Sequence, residues 1–229
     1  MTEASELGKR RDVILVGGSQ GAIPALKVLL SGLPANLGAA IGVTVHRGAT
    51  GHGGLADLLA KHSSLPVMEA AHGKLFRPGW VHLAPSDNHL VLRGAGTWLD
   101  HGPKQNHVRP AIDAMFVSGS KAYGARVIGV LLTGNLSDGV AGLISIKQRG
   151  GLSLAQDPNE AEAPSMPRNA IQYDDVDVVF SLASLAGILS ALVKGAGLDA
   201  RELGPRGRSA AAHDDTSTSR IPRTGSSTQ

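Results

Sequence analysis

Cysteine is absent from the 229 residues, and aromatic residues make up only 3% of them. Without thiols the chain can form neither disulfides nor cysteine-ligated zinc sites, and a reducing compartment suits it. With so few rings, its core must be aliphatic, built of Val, Leu, Ile and Ala. Long apolar runs are missing as well: no segment approaches the roughly 18 consecutive apolar residues of a membrane-spanning helix. Met1 to Asp12 is polar and mixed in charge, with no stretch of signal-peptide type. The formal charge is +3 and the basic residues are scattered rather than gathered into a stripe with interleaved aromatics, so nucleic-acid binding is not expected. These absences point to a cytoplasmic protein without membrane insertion.

What is present is enough for a core. Hydrophobic residues account for 42% and charged residues for 18% of the chain, the balance of a folded domain. The length suits one good-sized α/β domain. Glycine occurs 30 times, often directly after an apolar run, as tight turns from strands into helices require. Residues 1–11 read as a flexible leader. Beyond about Leu198 apolar residues thin out, and Gly204-Pro205-Arg206-Gly207-Arg208 opens a Ser/Thr/Arg-rich stretch that cannot bury enough surface to offset its ordering entropy. The expected organisation is a folded domain over 12–196 and a disordered tail over 197–229, with no internal repeat.

Within the domain, short apolar runs alternate with helical spacing. Val13 to Val16 is a continuous apolar run ending in glycine, and Leu26, Leu29 and Leu30 then recur at helical intervals over Ala22 to Leu30. Ile41 to Val45 predicts a second strand, Leu55 to Lys61 a short helix and Pro66 to Ala70 a third strand. Trp80 to Ala84, Leu90 to Arg93 and Thr97 to Asp100, joined by Pro85-Ser86-Asp87-Asn88 and Gly94-Ala95-Gly96, predict an antiparallel meander attached to the sheet. Pro110 is expected to start a helix whose buried stripe is Ile112, Met115 and Phe116. Val127 to Thr133 is the strongest strand. A helix over Gly139 to Gln148, strands at Leu152 to Ala155 and Val176 to Phe180, and a helix from Leu182 to Lys194 complete the pattern. The expected fold class is α/β: a doubly wound, mostly parallel sheet with helices on both faces and a β-meander insertion.

In open parallel sheets, sites form outside the carboxyl ends of the strands. Gly17-Gly18-Ser19-Gln20-Gly21 follows the first strand, His46-Arg47-Gly48 the second, and Thr133-Gly134-Asn135-Leu136-Ser137-Asp138-Gly139 the strongest. Three strands thus deliver Ser19, His46 and Asp138 to one edge. Gly17-x-Ser19-x-Gly21 fits the G-x-S-x-G pattern in its strand–turn–helix setting. Free backbone N–H groups at the helix start, that of Gln20 among them, suit an oxyanion. Each residue also has a plainer reading: Ser19 as a helix cap, His46 as a surface histidine, Asp138 as the N-cap of the helix beginning at Gly139. Together they make a nucleophile, a base and an orienting carboxylate, an arrangement that recurs on unrelated folds in different chain orders. A dinucleotide loop is disfavoured, because Ser19 stands at the second glycine of G-x-G-x-x-G and His46 where an acidic residue is needed. His52, His62, His72, His82, His89, His101, His107 and His213 fall on loops, element edges, the meander or the tail, and compete poorly.

Six phrases carry a resemblance: Val16 to Gly21, His82 to His89, Arg109-Pro110-Ala111-Ile112-Asp113, Leu132-Thr133-Gly134 with Ser137-Asp138-Gly139, Ala155-Gln156-Asp157, and Met166-Pro167-Arg168-Asn169-Ala170-Ile171. In that order, over about 12–193, the chain resembles the CheB-type methylesterase domain. The resemblance implies hydrolysis of γ-methyl glutamyl esters on methyl-accepting chemotaxis receptors with release of methanol, and often deamidation of receptor glutamines. It implies Ser19, His46 and Asp138 as the catalytic residues; Gln20, Gly21 and Asn135, in the loops beside them, are oxyanion or site-loop candidates. No metal or cofactor is called for. Many relatives carry an N-terminal receiver domain. Only the leader precedes the first strand here, so regulation by phosphorylation is expected to come from a separate response regulator.

The chain departs from the family pattern beside the nucleophile. Ser19-Gln20-Gly21-Ala22 stands where Ser-Thr-Gly-Gly is usual, and Asn135-Leu136 replaces Met-Gly before the Asp motif. His107-Val108 replaces a more basic or aromatic pair ahead of Arg109-Pro110. These changes leave two alternatives open: a signalling or binding module of the same fold with weakened turnover, and an esterase acting on a different protein.

Overall fold

β1 (Val13–Gly18) runs through the middle of the sheet and sends alternate side chains into two apolar layers, Val13 and Leu15 into one, Ile14 and Val16 into the other. β8 (Val127–Leu131) repeats the pattern with Val127 and Leu131 on one side and Ile128 and Val130 on the other. A strand covered on both faces has no position for a polar side chain, which is why these segments are continuous apolar runs.

The computed structural model describes residues 10–47, 54–174 and 176–196. The main sheet has seven strands in the order β10 (Val178–Phe180), β9 (Leu152–Gln156), β8, β1, β2 (Ala40–Val45), β5 (Val81–Leu83) and β3 (Val67–Glu69), and every neighbouring pair is parallel. One face is covered by α1 (Ala22–Gly32), α2 (Leu55–Ala60) and α6 (Leu182–Val193), which contribute Leu26, Leu59 and Leu189 to the core. The other is covered by α3 (Ile112–Tyr123), α4 (Val140–Gln148) and α5 (Ser165–Asp174), through Phe116, Leu143 and Met166. A separate antiparallel sheet of β4 (Lys74–Leu75), β7 (Gly96–Asp100) and β6 (His89–Arg93) adds Leu90 and Leu92 to that second layer. The expected α/β class, the doubly covered parallel sheet and the antiparallel insertion all hold. Among the described residues no helix is long and apolar enough to cross a membrane.

Three local expectations need correction. The strand over Trp80 to Ala84 belongs to the parallel sheet as β5, wedged between β2 and β3, not to the meander; the short turn at Pro85–Asn88 disguised a change of sheet. The helix expected from Pro110 opens at Ile112, because Ala111 is extended and the Ile112 N–H is taken by a side chain from another segment. α5 was not anticipated: it is polar overall and buries only Met166, Pro167, Ala170 and Asp174. The proposed tail, His52 and His213 lie outside the described residues, as does the leader apart from Arg10 and Arg11. Arg11 Nη1 donates to the Ala125 carbonyl at 2.9 Å.

The first described strand, β1, stands at the centre of the sheet, with later strands on both sides. β2 lies on one flank of β1 and β8 on the other, so the order reverses at β1 and a crevice opens at its carboxyl end. Close packing of α3 over that end depends on Gly17, where a β-carbon would lie 2.3 Å from Ile112 Cγ2. Replacing Gly17 with Ala should therefore lower unfolding free energy by about 1–3 kcal/mol, read as a reduced urea midpoint at unchanged m-value; an unaltered midpoint would contradict this packing.

Candidate active site

The three candidates sit on three adjacent strands at the crevice. Ser19 directly follows β1, and its N–H donates to the Thr133 carbonyl beyond β8 at 3.0 Å. The His46 N–H, just past β2, donates to the Gly18 carbonyl at 3.1 Å. Parallel pairing thus holds the backbones of Ser19 and His46 as neighbours across a strand spacing of about 4.8 Å. Gly134 allows the third segment to close in, since a β-carbon there would lie 2.9 Å from Ser19 Cβ. Gly21, with φ +79° at the start of α1, makes the turn that puts Ser19 at the rim.

His46 and Asp138 meet: Nε2 lies 2.6 Å from Asp138 Oδ2. A carboxylate only accepts, so Nε2 carries the proton and Nδ1 is the ring nitrogen left to act as a base. Among the described residues no hydrogen bond joins the Ser19 hydroxyl to His46; the serine is held near by its backbone alone. The N–H groups of Gln20 and Gly21 have no acceptor among the described residues, and both lie at the amino end of α1, where an anion is favoured.

Asp138 does not cap its own helix. Its Oδ2 also accepts from the Ile112 N–H at 2.7 Å, and its Oδ1 from the Asp113 N–H at 3.2 Å, so it caps α3. Asp113, in the first turn of α3, returns the arrangement by accepting from the N–H groups of Gly139 and Gly142 at 3.0 and 2.7 Å, at the start of α4. Neither helix has a side-chain cap of its own. Between the two carboxylates lies the Asn106 amide, whose Nδ2 donates to Asp138 Oδ1 at 2.8 Å and to Asp113 Oδ2 at 2.9 Å. Burial alone would push Asp138 up, but the bonds from His46, Ile112 and Asn106 outweigh it and hold the carboxyl below its ordinary value. Asp113 is pushed up to about 6, first by burial and then by the negative charge of Asp138. Asp113 and Asn106 were not identified from the sequence as site residues. An acidic residue in the first turn of a helix was a signal for Asp113, whereas nothing local marks Asn106.

The two departures beside Ser19 touch each other: Asn135 Nδ2 donates to Gln20 Oε1 at 2.9 Å, closing an amide pair across the site. The next residue, Leu136, has φ +67° and is 74% exposed. Four non-glycine residues have positive φ among those described, and the other three are Asp87, Asn106 and His107, types that tolerate it. For leucine this conformation costs roughly 1–2 kcal/mol. Both of its backbone groups are held, the N–H by Ser165 Oγ at 3.2 Å and the carbonyl by Asn169 Nδ2 at 2.8 Å. A cleft of about 340 Å³ is lined by His46 with Arg47, Asp87, Lys104, His107, Val108 and Arg109. His82 and His89 are buried and structural: His82 Nε2 accepts from the Arg77 N–H, and His89 links Pro103 to Ala111.

Two outcomes follow from the cross-capped carboxylates. Asn106→Ala leaves them facing each other without their shared donor, and stability should fall by about 1–3 kcal/mol, measured as a lower denaturant midpoint; a change below 0.3 kcal/mol, on the order of ordinary surface substitutions, would contradict the bridge. Asp113, whose folded value lies above the ordinary carboxylate range, holds an extra proton in the native state between roughly pH 4 and 6. Its contribution therefore favours folding below that window and is lost as pH rises through about 6. Asp113→Asn keeps an acceptor for α4 and should flatten this component of a stability–pH curve; identical curves for both proteins would rule it out.

Comparison with known proteins identifies the family. Residues 14–189 match the CheB methylesterase family. A Leptospira interrogans relative is 39% identical over 176 residues, covering 76% of this chain and 91% of its own. The protein-glutamate methylesterase/protein-glutamine glutaminase of Moorella thermoacetica is 37% identical over 191 residues, covering 81% of this chain but only 45% of that protein. The crystal structure of the Thermotoga maritima CheB methylesterase catalytic domain superposes with a TM-score of 0.77 at 32% identity, over 80% of this chain and 98% of that one. With sequence, fold and extent in agreement, the chain belongs to the CheB methylesterase family.

Proposed function

We propose that this protein is a protein-glutamate methylesterase that hydrolyses γ-glutamyl methyl esters on chemotaxis receptors, using Ser19, His46 and Asp138. The observation that carries the reading is the 2.6 Å contact from His46 Nε2 to Asp138 Oδ2, which fixes the tautomer and leaves Nδ1 as the base beside the strand end bearing Ser19. The Ser19 oxygen attacks the ester carbonyl carbon while His46 Nδ1 takes its proton. Asp138, kept ionised by its four donors, stabilises the imidazolium. The tetrahedral oxyanion is met by the free N–H groups of Gln20 and Gly21. His46 then returns the proton to the departing methoxide, methanol leaves, and water attacks the acyl-serine by the same route to release the glutamate carboxylate. A glutaminyl side chain could enter the same sequence with ammonia as the leaving group, in keeping with the double name of the Moorella thermoacetica relative.

We place this protein in the cytoplasm, with the catalytic domain over 12–196 and phosphorylation-dependent control supplied by a separate response regulator. A second reading, a signalling module with weakened turnover, draws on the missing hydrogen bond between the Ser19 hydroxyl and His46. Serine–base contacts are often loose until substrate arrives, so the ester hydrolase is the stronger reading. Methanol release from membranes bearing methylated receptors decides between them. The wild-type protein should release methanol, and Ser19→Ala should lower kcat by about 10³-fold or more; equal rates for the two would overturn Ser19 as nucleophile.

A further inference from the structure

Leu136 is the most exposed large apolar side chain among the described residues, at 74%, and it occupies a backbone conformation that leucine disfavours. Nothing in the folding of the domain calls for leucine there: glycine or asparagine would take the same φ with less strain. Yet the position is built with care, because Ser165 Oγ holds its N–H and Asn169 Nδ2 holds its carbonyl. It lies two residues past Gly134, which abuts Ser19, and so within about 7 Å of chain from that contact. Ser165 and Asn169 are four residues apart on α5, and Tyr173 follows four further on, along the same side of the helix. Tyr173 is 63% exposed. Two exposed apolar side chains, Leu136 near the Ser19 contact and Tyr173 farther along α5, thus bracket the polar Ser165 and Asn169 on one edge of the helix.

The length of that edge says what it meets. From Ser165 to Tyr173 the helix rises about 12 Å, farther than a small ester seated at Ser19 can reach. A protein segment that presents a glutamyl ester to Ser19 is long enough to reach both Leu136 and Tyr173. We propose that Leu136 and Tyr173 form a docking contact for apolar side chains that flank the esterified glutamate in the protein substrate. This inference rests on the reading of the protein as a protein methylesterase. It makes the Asn135-Leu136 departure a determinant of substrate selection, with the strain at Leu136 retained because the side chain is used when substrate binds.

The test compares two substrates: membranes bearing a methylated chemoreceptor, and N-acetylglutamate γ-methyl ester. For Leu136→Asn, which tolerates the left-handed conformation, the KM for receptor relative to that for the small ester should rise about tenfold, with a melting temperature equal to or above wild type. Tyr173→Ser should shift the ratio in the same direction, and Leu136→Met should bring it back to within about twofold. An unchanged ratio in Leu136→Asn overturns the inference. A lower melting temperature with equal losses on both substrates also overturns it, because the residue would then be acting on the fold. A wild type that cleaves the small ester but releases no methanol from receptor would overturn the function on which the inference rests, and the inference with it.

Discussion

Two helices that start without caps of their own, each finished by a carboxylate belonging to the other, hold this site together. Asp138 takes the first amides of α3, Asp113 takes those of α4, and the Asn106 amide lies between them. Left to itself, a buried carboxylate facing a half-buried one would leave one member of the pair protonated or pushed out to water. Here the strain is divided unequally. Asp138 collects four donors, His46 among them, and stays anionic, whereas Asp113 carries the cost as a raised affinity for protons. The carboxylate that faces the imidazole is thus the one whose charge is protected, and its direction is set by backbone amides that cannot rotate away.

Topology supplies the rest. Because β1 lies at the centre of the sheet with β2 and β8 on opposite flanks, three strand ends deliver their next residues to a single crevice. The register fixes Ser19 against His46 on one side and against Thr133 on the other, and small residues at 17, 21 and 134 let the segments approach. Such an arrangement needs no long loop to bring Ser19 and His46 together. Variation falls instead on side chains at the rim, where Gln20 pairs with Asn135.

Much of this was legible in the sequence, and the reasons differ by element. β1 and β8 are buried on both faces, so their apolar runs stood out, and the residues just past them could be named as candidates without a structure. β5 was misplaced because its partners, β2 and β3, lie far from it in sequence and a polar His82 interrupts it. α5 escaped notice because only a narrow stripe of it is buried and the rest is polar. Asp113 and Asn106 act through bonds to residues 25 to 32 positions away, which no local pattern encodes. His46 and Asp138 could be paired on chemical grounds alone; the exchange of caps that orients the aspartate could not.

At the other end of β1 the chain carries a second charged constellation. Asp12 is buried just ahead of the strand, where Arg126 grips both of its oxygens at 2.7 and 3.0 Å and Arg10 adds a third contact at 2.6 Å. Arg126 itself stands immediately before β8, so this clamp ties together the entry points of the two central strands whose exits carry the serine and the aspartate. The sheet therefore has a clamped pole and an open one. Because the strands are locked where they enter, their far ends can be left open to solvent and to substrate without the central pair sliding out of register.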